Sequence, residues 1–117
     1  MGTSYVEFRK RGFWTRDSFL TGWLTTLIDE VRPGSEEAPW LQPLIDHWEI
    51  QIKIDGGCMA LNLDSLLHDG EKRDYILYAA MGALRRTPDE SKRTGQLFLA
   101  LLKEELKTDA SSHIDYL

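Results

Sequence analysis

Residues 48–63 read Trp-Glu-Ile-Gln-Ile-Lys-Ile-Asp-Gly-Gly-Cys-Met-Ala-Leu-Asn-Leu, and two folds compete for them. Trp48, Ile50, Ile52 and Ile54 alternate with Glu49, Gln51 and Lys53, and Met59, Leu61 and Leu63 alternate again beyond Asp55-Gly56-Gly57. A period of two on either side of a Gly pair is the pattern of a β-hairpin. The same segment also completes a helix. Leu41, Leu44, Ile45, Trp48 and Ile52 share one helical face, and no other strand offers itself for a hairpin to join. A lone hairpin is marginal in water. The preferred reading is a helix that runs to about Lys53 and stops at the Gly pair; an α+β fold with a small hairpin at 48–63 is the alternative.

Upstream, Leu20, Trp23, Leu24, Leu27, Ile28 and Val31 form one apolar stripe, with Thr15 as cap and Asp17 in the first turn, and Pro33-Gly34 ends it. The second helix is expected to start between Glu36 and Pro43, with Ser35 as a candidate cap. Downstream, residues 56–69 form a connection. Leu61, Leu63, Leu66 and Leu67 are too apolar to stay in water, so the segment should pack down as a lid or hold a short helical turn. Glu71 to Arg86 reads as a third helix with Ile76, Leu77, Ala80 and Leu84 inward. After Thr87-Pro88 comes a fourth, with Leu97, Phe98, Leu101, Leu102 and Leu106 inward. Asp64 and Asp69 suit caps of short turns. The expected fold class is all-α, a compact four-helix bundle in one domain over 1–117, with an extended N-terminal arm at 1–13 and a polar tail at 108–117.

The 117 residues carry 14 Lys+Arg and 19 Asp+Glu, a formal net charge of -5, with 42% hydrophobic residues. That balance belongs to globular chains and not to disordered ones. It argues against nucleic acid or an anionic membrane as partner. One cysteine, Cys58, allows no internal disulfide, and the N-terminal stretch lacks the apolar core of a signal peptide, so a cytoplasmic location is expected.

Motifs for chemistry are sparse. Cys58 with His47 or His68 would be needed for thiol catalysis, but a small buried cysteine in a turn explains the same residue. The histidines are too few and scattered for a zinc site, and neither a P-loop nor a dinucleotide fingerprint occurs, so no cofactor or metal is expected. Arg9, Lys10, Arg11 and Arg16 beside Phe8, Phe13 and Trp14 resemble a single-strand grip only faintly; those aromatics serve equally to pack the arm.

Charge placement says more than any motif. In residues 1–16 four bases face one acid, whereas in 17–55 eight acids face two bases. Asp29, Glu30, Glu36, Glu37, Asp46, Glu49 and Asp55 fall off the apolar stripes, with Trp40 at their edge. Such a surface either steers a basic partner, with Trp40 as an anchor, or merely keeps the chain soluble while Trp40 closes the core. The expected function is a protein-binding module without enzymatic activity that presents this acidic surface to a basic protein. Its sharpest form is an immunity-type inhibitor covering a toxin's basic active site, by analogy of type alone. The alternative is a homo-oligomeric adaptor or structural interaction protein, with Trp14, Trp40 and the leucines of 61–67 forming a homodimer seam; a third reading is an enzyme using Cys58 or a histidine.

Overall fold

The computed structural model describes residues 2–54 and 59–105. The fold is α+β, not the expected all-α bundle. Strands β1 (Thr3–Phe8), β2 (Arg11–Arg16) and β3 (Ala60–Asn62) form a mixed sheet in the order β2-β1-β3. Helices α1 (Asp17–Val31), α2 (Leu41–Ile54), α3 (Asp64–Leu67), α4 (Gly70–Leu84) and α5 (Asp89–Leu102) make up most of the rest, with a 3-10 turn at Arg32–Ser35.

The contested segment resolves in favour of helix up to Ile54. The hairpin over 48–63 does not form, because a partner for the second half lies elsewhere. Residues 60–62 pair in parallel with β1, Val6 opposite Leu61, and the ladder closes with Tyr5 N–H to the Met59 carbonyl (2.8 Å) and Leu63 N–H to the Glu7 carbonyl (2.9 Å). Leu61, Leu63 and Leu67 are buried, as the composition of that connection demands, and Leu66 packs against the core.

The N-terminal arm is extended, and its two halves pair as an antiparallel hairpin with Val6 opposite Phe13. Period-two burial is visible in β1: Ser4, Val6 and Phe8 point inward. The reversal is a two-residue loop, Arg9-Lys10, with both residues at positive φ (51° and 68°). Such loops favour Asn and Gly, so this sequence carries no hairpin signal. Tertiary contacts hold the loop instead. The Arg9 N–H donates to Asp64 Oδ1 (2.7 Å), and the Arg9 guanidinium reaches Glu104 Oε2 (2.9 Å), which also takes Arg73 Nη1 at 3.2 Å. On the outer face the Tyr5 ring lies over Gly12, where a Cβ would overlap it, and packs on Trp14 at 4.8 Å.

Buried polar contacts lock the sheet to the helices. Ser4 Oγ accepts from Met59 N–H (3.0 Å) and donates to Asp17 Oδ1, tying β1 both to the start of β3 and to the start of α1. Thr15 and Thr94 share a hydroxyl–hydroxyl bond of 2.8 Å between β2 and α5. Thr15 is thus a strand residue, and Arg16, without a side-chain bond, precedes α1. Asp69 does cap α4, accepting from Glu71 N–H at 2.9 Å.

Helix α1 sits against both α4 and α5. At α5 the approach is close: a Cβ on Gly22 would meet Ser91 Oγ at 2.5 Å, and one on Gly95 would lie 2.7 Å from the Trp23 ring and 2.8 Å from Leu84 Cδ1. Phe98 fills the space between Trp23 (5.5 Å) and Trp48 (6.3 Å). No described helix is long and apolar enough to cross a membrane.

Two substitutions test this packing by urea unfolding. Lys10→Gly should raise stability by about 1 kcal/mol, because glycine removes the left-handed penalty at an exposed loop residue. Gly95→Ala should lower it by about 1–3 kcal/mol through overpacking against Trp23, although the same change at an exposed helical position would raise it.

Candidate functional site

The acidic surface expected from charge placement is divided by the fold. Asp29 and Glu30 are neighbours on α1 and so project about 100° apart. Asp29 lines a cleft between α1 and α2 with Thr25, Ile28, Arg32, Glu49, Ile52 and Lys53. In it Arg32 Nη2 holds Glu49 Oε2 at 2.5 Å, and two bases offset two acids. This cleft is close to neutral, so Glu49 belongs to an internal ion pair. Asp46 is exposed on α2 and accepts from Gln42 Nε2 at 2.8 Å. Asp55 and Cys58 lie outside the described residues.

Glu30 turns the other way, into a groove between α1 and α4 that is also lined by Val31, Glu71, Asp74, Tyr75, Tyr78 and Ala79. Arg86 Nη2 reaches Glu30 Oε1 at 2.6 Å and Arg73 Nη2 lies 3.5 Å from Asp74 Oδ1, so two of the groove's three carboxylates have a base beside them and Glu71 has none among the described residues. The 3-10 turn closes one end: the Tyr75 hydroxyl lies against Gly34, with Glu36 and Glu37 exposed just beyond. Trp40 is half-buried there, edge-on to Tyr75 at 5.4 Å with Lys72 Nζ 5.6 Å from its ring. It is a packed residue that joins the α1–α2 connection to α4, and not a free anchor.

The most exposed aromatic among the described residues is Tyr78. It is 81% accessible, and Met81 and Tyr75 beside it are 49% and 40% accessible. These residues stand opposite Ile76, Ala80 and Ala83, which face the core. On the far side of α4 a second groove, toward α5, has Met81, Leu84 and Leu99 as its apolar lining and Arg85, Lys92 and Lys103 as its charges. Helix α4 thus separates an acidic groove from a basic one.

The charge reading found Glu30 and passed over Glu71, Asp74, Tyr75 and Tyr78. The signal that could have found them was present. A helix with apolar residues at 75, 78 and 81 as well as at 76, 80 and 83 is apolar on two faces, and only one of them can meet its own core.

Of the residues considered for a homodimer seam, Leu61, Leu63 and Leu67 are buried, whereas Trp14, tilted against Tyr5, and Trp40, edge-on to Tyr75, are partly buried. The basic and aromatic N-terminal patch likewise loses Phe8 and Phe13 to the core. Among the described residues no three His, Cys, Asp or Glu side chains converge to hold a metal ion. No protein-family model, curated protein or solved structure matches this chain.

Proposed function

We propose that this chain is a cytoplasmic protein-binding module, its work binding and not catalysis, and that it receives a basic protein surface in the α1–α4 groove. The observation that carries this function is the pairing of an almost fully exposed tyrosine, Tyr78, with the carboxylates of Glu71 and Asp74 on the same helix face. Tyrosine supplies a large, rigid contact area at small entropic cost and is enriched where proteins meet. The carboxylates add attraction for Lys and Arg and speed the encounter. Nucleic acid and anionic membranes would be repelled by the same charges. Glu36 and Glu37, at the end of the groove, widen the attractive field. An immunity-type inhibitor would use such a groove to cover the basic active site of a toxin.

A photo-crosslinking amino acid in place of Tyr78, in cells of the native host, tests this. Adducts should map to Lys- and Arg-rich surface peptides of a partner protein, which includes a second copy of this chain. They should disappear when Glu71 and Asp74 are both changed to Lys, and the same probe at exposed Ser18 should give none. Absence of adducts, or adducts indifferent to that charge reversal, would remove the proposed function.

A further inference from the structure

The chain itself carries basic residues on the exposed side of α4, Arg85 among them, beside Met81 and Lys103. Resting on the binding function above, we propose that the exposed face of α4 is a homodimer seam, on which two copies pack their α4 helices antiparallel about a two-fold axis at Tyr78.

The spacing of residues about Tyr78 supports this. Tyr75 and Met81 lie three positions to either side, Asp74 and Gly82 four, and Glu71 and Arg85 seven. Steps of three, four and seven keep one face of a helix turned to a partner helix. In an antiparallel pair centred on Tyr78, each layer then combines one residue with its counterpart from the second copy. Tyr78 meets Tyr78 at the axis. Tyr75 shares a layer with the second copy's Met81, an aromatic–thioether contact. Glu71 shares a layer with the second copy's Arg85, and the two-fold repeats that ion pair. An isologous interface requires this kind of self-complementarity.

The surroundings agree with it. Glu71 and Arg85 are both exposed, and neither has an ion-pair partner among the described residues. The acidic groove flanks the N-terminal half of α4 and the basic groove its C-terminal half. Antiparallel pairing therefore sets the acidic Glu71 end of each helix beside the Arg85 end of the second copy's helix. Parallel pairing would set Glu71 against Glu71 and Arg85 against Arg85, which repel.

Sedimentation of the full chain over a concentration series tests the proposal through a charge swap. The wild type should sediment as a dimer. Glu71→Arg and Arg85→Glu should each raise the dissociation constant at least about tenfold, since each places two like-charged contacts in the seam. The double variant should return most of the lost affinity by restoring both pairs in reversed order. Tyr78→Glu, at a site too exposed to threaten folding, should be monomeric with an unchanged circular dichroism spectrum. A wild type that stays monomeric to about 1 mM, a range that covers weak self-association, overturns the seam. So does a dimer that ignores all three single changes, or a double variant as weak as the singles. If the wild type is monomeric while the Tyr78 crosslinks to another basic protein persist, the second copy is the wrong partner and the binding function stands. If both fail, the groove is not a binding site.

Discussion

The close approach of α1 to α5 governs the arrangement of this molecule. Gly22 makes room for Ser91 and Gly95 makes room for the Trp23 ring, and Phe98 bridges that ring to Trp48 on α2. Large aromatics dominate core energetics, and truncating one costs about 3–5 kcal/mol. Once α1 is seated on α5, its remaining sides take α2 and α4. Helix α4 can then bury only the Ile76–Ala80–Ala83 side and must turn Tyr75, Tyr78 and Met81 outward.

The sheet depends on a smaller device. Residue Ser4 is one hydroxyl with both its roles filled, an acceptor for Met59 N–H and a donor to the Asp17 carboxylate. It therefore fixes where β3 joins β1 and where α1 begins. A buried hydroxyl is costly unless bonded, so this geometry specifies the register as well as stabilising it. Through β1 the hairpin, the third strand and the first helix become one body.

Local patterns carried far in this chain, and their limits are instructive. Helices of 14 or 15 residues with apolar faces were legible at α1, α2, α4 and α5, because an amphipathic stripe is set by a helix's own sequence. The sheet was not. Arg9-Lys10 occupies a left-handed loop without the residues that usually announce one, and β3 is three residues long with its partner more than fifty positions away. The acidic surface was half legible. Net charge by segment is a sum over residues, but Arg32 and Arg86, placed by packing, consume Glu49 and Glu30. Exposed ion pairs of this kind stabilise by at most about 1 kcal/mol, yet they remove charge from the surface field.

The sequence by itself indicated the four long helices, the residues α1 buries and most of those buried by α2 and α5, and that the leucines of 61–67 must leave water. These follow from the period of the apolar residues and the cost of hydrating them. On α4 the same pattern placed Leu77 and Leu84 inward, whereas Ile76, Ala80 and Ala83 are the residues buried there. Only the tertiary structure decided that residues 3–16 pair as a hairpin, that 60–62 complete their sheet, and that α4 divides an acidic groove from a basic one. Strand pairing and groove formation depend on which distant segments become neighbours. That is settled by the packing of Trp23 on Gly95 and by the hydrogen bonds of Ser4, which no local window of sequence contains.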